Sequence, residues 1–383
     1  MALEFDWSPD DTQHRREIRE FLRQELPDNW EEISQHGPGG DSQAAFSRTF
    51  CGRMAAKGWL TQHWPSAYGG RDCQPWRHSI VGEEMWAVGE PRGSQYMNVN
   101  WIGPAIMRYG SEAQKQLHLP RISAGQVLWC QGFSEPEAGS DLAALRTRAE
   151  KIDDHFVING SKIWTSYCNH ADYIFLLVRT DSHSSRQRGI SVLLVPMDTP
   201  GIEVHEIPSV VGERYFHEVF FTDVTVPTSV LLGEEHNGWE VVNHALQFER
   251  IGAARYARAA VTLDKLAEVA AERGLLRDPI VVDRLGEARA LCEAARVLVY
   301  KVIDIRAKDR PPTADTQLAR VLSTTCDNAI GRLALDIYGP DSLEYASFAD
   351  NNFRLAMTAG VAVGATEVQL NLIASRFLDL PKD

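Results

Sequence analysis

Three textures of hydrophobic and polar positions follow one another along the chain. Over residues 1–125 apolar side chains recur at three- and four-residue intervals, which predicts helices. In "SPDDTQHRREIREFLRQELP" the apolar residues Ile18, Phe21, Leu22 and Leu26 share one face. Ser8 and Pro9 supply a start for that helix and Pro27 a stop. Two more helices are predicted in "AAFSRTFCGRMAAKG" and "HSIVGEEMWAVG", separated by the loop "WPSAYGGRDCQPW".

From about Gly125 the texture changes. "HFVING", "YIFLLVRT", "GISVLLVP", "GIEVHEI" and "EVFFTDVTVP" are β-branched runs bounded by turn residues, so residues 126–238 are predicted to be all-β. Asn159-Gly160 predicts a tight turn between two strands. After Gly238 the helical period returns and continues through residues 239–383. Asp278-Pro279 opens one helix, Gly339-Pro340 stops another, and a last helix is predicted from about Asn352 to Leu378. The fold class expected is therefore α+β and multidomain: an N-terminal α-helical domain, a middle β-barrel-like domain and a C-terminal α-helical bundle.

Composition narrows the function. The 383 residues carry a formal net charge of −13, which disfavours a nucleic-acid partner because phosphate binding needs clustered Lys and Arg. The first residues, "MALEFDWSPDD", lack the apolar run of a signal peptide, and no segment has the length of a membrane span. Six scattered cysteines without a CxxC pair fit reduced thiols in a cytoplasmic protein and disfavour a zinc site; no metal is expected. GxGxxG after a strand, GxxxxGK[ST], HExxH and GxSxG are all absent, so Rossmann and P-loop nucleotide cradles are disfavoured.

One residue breaks the helical pattern in a way that needs a reason. In "NHALQFERIGAARYARAA", Val242, Leu246, Ala253 and Tyr256 line an apolar face, and Glu249 falls on it. Its neighbours at helical spacing are Ala245, Leu246, Gly252 and Ala253, so no cation on the same helix can pair with it. A carboxylate among apolar groups is costly as structure. It suits a general base, because burial raises its pKa toward the working pH. On the next turn Arg255 and Arg258 have no acidic residue at helical spacing; they fit either a solvated face or an attraction for phosphates.

"WCQGFSEPEAGSDLAALRTRAE" (129–150) and "VINGSKIWTS" (157–166) carry a family resemblance. They resemble the "TEPxAGSD" and "NGxKxWIT" motifs of the acyl-CoA dehydrogenases, flavoproteins that oxidise an acyl-CoA to the 2,3-enoyl-CoA. The C-terminal "ATEVQLNLIASRFLDLP" is similar to that family's "EGTxEIQRxIIAxxLLGLP". The resemblance implies FAD as cofactor and assigns roles by position. Gln131, Phe133 and Ser134 face the flavin ring, Trp164, Thr165 and Ser166 line its other side, and Ser140 lies beside the CoA thiol arm. The residues of "YMNVNWIGPAIMRYG" shape the pocket floor.

Most family members carry the base as the Glu of "EGT", where this chain has Val363 in "AVGATEVQ". A minority carry it on the earlier helix in an "xER" element, which "QFER" matches, so the resemblance also puts the base at Glu249. Glu367 matches the family's second, non-catalytic Glu. The backbone N–H of Val363 remains as a donor to the thioester oxygen, and Arg250 approaches the CoA moiety.

Homotetrameric members hold a neighbour's flavin pyrophosphate through "RxxFG" and "QxxGGxG" elements. Arg273 fits the first, but Leu276 replaces its Phe; in "DIYGPDSLEY", Asp336 replaces the Gln and Pro340 a Gly. An acidic side chain there is unfavourable to a pyrophosphate, and proline has no N–H to donate. The expectation is a tetramer: either a heterotetramer with a second acyl-CoA dehydrogenase-like chain, as in actinobacterial relatives acting on steroid-derived acyl-CoAs, or a homo-oligomer with altered flavin binding. An electron-transfer flavoprotein is the implied electron acceptor. Alternatives are an oxidase-type relative and a non-catalytic CoA-binding subunit.

Overall fold

The computed structural model describes residues 6–34, 40–184, 186–211, 216–249, 254–310, 314–361 and 364–381, with only the backbone of 247–249. In chain order the helices are α1 (Pro9–Glu25), α2 (Trp30–Ser34), α3 (Asp41–Ala56), α4 (Pro75–Ala87), α5 (Gln95–Met97), α6 (Gly103–Tyr109) and α7 (Glu112–Ser123). A π-helical turn, Asn98–Ile102, joins α5 to α6. The strands follow: β1 (Trp129–Gly132), β2 (Arg148–Ile152), β3 (His155–Ser166), β4 (Tyr173–Arg179), β5 (Ile190–Pro196), β6 (Ile202–Ile207), β7 (Phe216–Pro227) and β8 (Leu231–Leu232). Helices return as α8 (Gly238–Glu249), α9 (Arg255–Glu272), α10 (Pro279–Ala307), α11 (Asp315–Tyr338), α12 (Phe348–Ala359) and α13 (Thr366–Arg376). The order is helical domain, β domain, helical domain, and no described helix is long and apolar enough to cross a membrane.

By internal contacts the chain forms two compact units, and the helices of the N-terminal region are divided between them. The first unit combines residues 1–37, 73–91 and 250–383. Here α1 is capped by the Ser8 hydroxyl, which accepts the Asp11 N–H at 3.1 Å, and buries His14, Ile18, Phe21 and Leu22. Asp278 caps α10 in the same way, by accepting the Ile280 N–H at 2.9 Å, with Pro279 at the first helical position. Buried Glu83 of α4 accepts the hydroxyls of Tyr256 and Tyr300, both at 2.5 Å, which ties the first turn of α9 to α4 and α10.

The second unit combines residues 38–72 and 92–249 and holds an eight-stranded sheet, ordered β6-β7-β3-β2-β4-β5-β8 with β1 added parallel to β4. Its ends, β6 and β8, do not pair with each other, so the sheet is open rather than closed into the barrel-like form expected from sequence. β4 and β5 are buried almost throughout, and with Phe156, Ile158, Val219 and Phe221 they form the core of this domain.

Three local expectations are corrected. Asn159-Gly160 is not a turn: β3 runs through it, with a bulge beside Gly160, and the hairpin turn is Asp153-Asp154, with Asp153 at φ +52°. A Cβ on Gly160 would lie 2.7 Å from Thr147 Cα, so glycine here permits a close backbone approach. The last predicted helix is two, α12 and α13, separated where Gly364 takes φ +86°. The helix predicted through residues 243–260 also divides: α8 is described as far as Glu249, and Ala254 at ψ 52° is outside the helical region before α9 starts.

Candidate functional site

Two stretches of the motif region lie side by side in the second unit. Strand β1 pairs with β4 so that Cys130 and Gly132 point into the core; a Cβ on Gly132 would meet Ile174 and Leu176 at 2.7 and 2.8 Å. Alternation turns Gln131 the other way. Phe133 follows, its ring packed edge-on against Phe175 at 6.0 Å. The chain then folds back in a tight turn, Glu135 and Ala138 exchanging backbone hydrogen bonds of 3.1 and 3.0 Å, and Ser140 stands exposed two residues later.

The second stretch is the end of β3. Its register against β7 shifts between Lys162 and Thr165, and in that bulge Trp164 adopts φ +58°, unusual for a bulky residue. The indole is 56% exposed and touches Phe216 edge-on. The bulge frees the Ile163 N–H from the ladder, and it donates to the Ser134 carbonyl at 2.9 Å. Gln131, Phe133 and Ser134 are thereby brought beside Trp164, Thr165 and Ser166.

Two of these residues leave polar atoms unmatched among the described residues. Gln131 Nε2 and Thr165 Oγ1 are buried without a hydrogen-bond partner. Unsatisfied groups of this kind are uncommon in native proteins and each calls for a ligand or a reason. A donor amide, a hydroxyl and an exposed indole face suit a flat, heteroatom-rich ring, so the residues present fit an isoalloxazine.

A buried ion pair sits behind this surface. Lys162 is fully buried, and its ammonium donates to Glu135 Oε1 at 2.7 Å and to the Phe133 carbonyl at 3.1 Å. Glu135 also accepts the backbone N–H groups of Arg146 and Thr147, at 2.6 and 2.9 Å. Burial pushes Lys162 down to about 8, against the attraction of Glu135. Burial acts in the opposite sense on Glu135, but Lys162 and the hydrogen bonds outweigh it and hold that carboxyl below its usual range. Both groups are charged at neutral pH. Sequence reasoning passed over this pair although both residues stand within the motifs that it used.

In the first unit, Arg273 at the end of α9 and the 336–341 segment do come together. The guanidinium donates to the Tyr338 carbonyl at 2.8 Å and to Asp341 at 2.6 Å, and lies over the Tyr338 ring. Asp336 is bonded to Arg284. Arg255 and Arg258 are half-buried rather than a solvated face, with Arg255 over the Trp86 ring. Glu367 is exposed in the first turn of α13. Gln369, two residues on, is fully buried with neither amide atom partnered among the described residues; it was not singled out from sequence. Arg250, Val363 and the side chain of Glu249 lie outside the described residues.

Comparison with known proteins supplies the family. The N-terminal, middle and C-terminal domains of acyl-CoA dehydrogenase match residues 8–126, 130–224 and 236–378. The chain is 32% identical over 381 residues to the acyl-CoA dehydrogenase IpdE1 of Mycobacterium tuberculosis, covering 96% of this chain and 97% of that one. Among solved structures, the Tcur3481-Tcur3483 steroid ACAD matches all of both chains with a TM-score of 0.92 at 30% identity. The ChsE4-ChsE5 complex from Mycobacterium tuberculosis gives 0.88 at 29%, again over the whole of both chains. Carrying all three domains in order, this chain belongs to the acyl-CoA dehydrogenase family.

Proposed function

We propose that this chain is the base-bearing, flavin-holding subunit of a heteromeric acyl-CoA dehydrogenase that desaturates a ring-bearing acyl-CoA between its α and β carbons. The observation that carries the reading is that Gln131 Nε2 and Thr165 Oγ1, on adjoining stretches that both resemble flavin-facing motifs, are each buried with no partner among the described residues. Gln131, Phe133, Ser134, Trp164, Thr165 and Ser166 would hold FAD. When bound, FAD supplies the acceptor for the β-hydride.

The remaining chemistry belongs to the chain's own residues. Glu249 takes the α-proton as general base, a role worth roughly 10²- to 10⁴-fold in rate. The Val363 N–H donates to the thioester oxygen, which acidifies that proton. Ser140 and Arg250 contact the CoA. An electron-transfer flavoprotein is the expected electron acceptor.

The heteromeric assignment rests on the Arg273 corner. Arg273 and Asp336 are bonded to Asp341 and Arg284 of their own chain, and Pro340 has no N–H, which leaves few donors for a neighbour's pyrophosphate. Solved structures that match the whole of this chain include proteins named as a steroid ACAD and as a two-chain complex, in keeping with a ring-bearing substrate and an unlike partner.

The test is the visible spectrum of the chain alone and co-purified with a second acyl-CoA dehydrogenase-like chain, before and after anaerobic addition of an acyl-CoA panel. The expected result is a flavin spectrum in the complex that bleaches with ring-bearing acyl-CoAs. A chain that is yellow and bleaches alone overturns the heteromer. A colourless complex overturns the flavin reading.

A further inference from the structure

The pair behind the site, Lys162 and Glu135, has no place in the chemistry above and is an expensive way to fill a core. Lys162 lies opposite Val219, a core residue of β7, where an apolar side chain would pack without desolvating a charge. Its ammonium reaches a backbone carbonyl that no strand pairing holds, that of Phe133, and a carboxylate that itself grips the Arg146 and Thr147 amides. Thr147 Oγ1 completes the circuit by donating to the Ser161 carbonyl at 3.1 Å. Three segments distant in sequence, 133–135, 146–147 and 161–163, are thus joined around one buried ammonium.

The joint falls beside an irregular stretch of backbone. Immediately after Lys162 the ladder slips, Trp164 takes a left-handed conformation, and the Ile163 N–H leaves β7 for Ser134. Such a conformation persists only where its surroundings over-determine it. The two anchors act from both sides: Lys162 holds Phe133 and Glu135 from behind, and Ile163 holds Ser134 between them. What they set is the separation of the Gln131–Ser134 and Trp164–Ser166 stretches.

The geometry points to Lys162 as the positioning residue of the cofactor surface, its ammonium fixing the Phe133 carbonyl so that the two flavin-facing stretches keep one spacing. The inference rests on the reading that those stretches face a flavin. Glu135 is the counter-charge that lets the ammonium stay buried, and its own contribution is to stability. The two members of the pair therefore differ in what their loss does.

Three variants separate these roles: Glu135→Gln, Lys162→Met and the double variant E135Q/K162M, each in the assembled protein. Each is followed by thermal melting, by FAD titration through fluorescence quenching, and by the shape of the bound flavin band. Glu135→Gln leaves an acceptor for Lys162 and is expected to lower the melting temperature while keeping FAD affinity and band shape. Lys162→Met is expected to weaken FAD binding about tenfold or more, the effect of losing a charge-assisted hydrogen bond. The double variant removes the unpaired buried carboxylate, so its melting temperature recovers, while the weak binding and altered band remain. It also carries the test if Lys162→Met alone does not fold. A double variant with wild-type FAD affinity and band shape overturns the positioning role, as does an affinity loss that follows melting temperature across all three. A wild-type protein that binds no FAD overturns the flavin reading, and this inference with it.

Discussion

Two corners of this chain resemble places where acyl-CoA dehydrogenases hold flavin, and the structure treats them in opposite ways. Around Gln131–Ser134 and Trp164–Ser166 the Lys162–Glu135 charges are withdrawn behind the surface, and two buried polar atoms, Gln131 Nε2 and Thr165 Oγ1, have no partner among the described residues. Around Arg273 and residues 336–341 every charge named by the resemblance is bonded within the chain, Arg273 to Asp341 and Asp336 to Arg284. A surface kept for a ligand leaves hydrogen-bonding capacity unused, because satisfying it internally would compete with binding. A surface released from that duty is free to pair its own charges, at little gain, since exposed pairs contribute little. The contrast indicates which half of a flavin this chain would hold.

The comparison is open to direct attack. Its largest predicted consequence is at the proposed base: Glu249→Gln should reduce the rate of flavin bleaching by acyl-CoA roughly 10²- to 10⁴-fold, while the oxidised spectrum and FAD affinity stay unchanged. Stopped-flow absorbance reads this. Unchanged bleaching would move the base elsewhere and make the first corner a binding surface only.

Next in size is the ion pair. Lys162→Met leaves the Glu135 carboxylate buried without its cation, and should lower unfolding stability by ~3–5 kcal/mol in denaturant titrations. A change within ~1 kcal/mol would mean that water reaches the pair, and the first corner would then resemble the second.

Thr165→Val sharpens the contrast. Removing a buried hydroxyl that has no partner should leave the cofactor-free protein as stable or about 1 kcal/mol more stable, while FAD affinity falls about tenfold. Loss of stability without loss of affinity would show that the hydroxyl serves the fold.

The pH dependence of stability follows from the same pair. Glu135 is held below its usual range, so the unfolded chain binds more protons there, and its contribution, full above pH 4.5, is lost as pH falls through the folded value. Lys162, at about 8 when folded against 10.5 unfolded, has the unfolded chain holding the proton longer, so its term raises stability as pH rises between those values. Urea melts of E135Q/K162M should be flatter at both limbs than wild type.

The smallest effect belongs to the second corner. Asp341→Asn breaks a half-exposed pair and should change stability by less than ~1 kcal/mol, with the chain's own FAD affinity unaffected. A marked gain in flavin binding by the unpartnered chain would show that Asp341 suppresses a latent pyrophosphate site, and would revive the homo-oligomer.

Much of this was legible before any fold was known, because it is encoded within a few residues. Ser8-Pro9 and Asp278-Pro279 name their helix starts through local hydrogen bonds and a preset φ, and α1 and α10 begin there. The β-branched runs between turn residues located β3, β4, β5, β6 and β7, and the two motifs located the candidate site. What failed did so where a distant segment overrode local preference. Asn159-Gly160 has turn chemistry, but β7 pairs straight across it and Thr147 crowds against Gly160, so a bulge replaces the turn. The helix through Glu249 reads as continuous at apolar positions, yet Ala254, at ψ 52°, is outside the helical region.

Order, period and motif are short-range properties, and the sequence alone determined them: helices, strands, helices, and a family. Whether the sheet closes, which polar atoms stay unmatched, and which charges pair are sums over residues far apart, and only the tertiary structure decided them. Lys162 and Glu135 stand 27 positions apart, with nothing in their spacing to join them. They meet because β3 carries the lysine against the turn that follows β1. Once buried, neither charge is stable without the other.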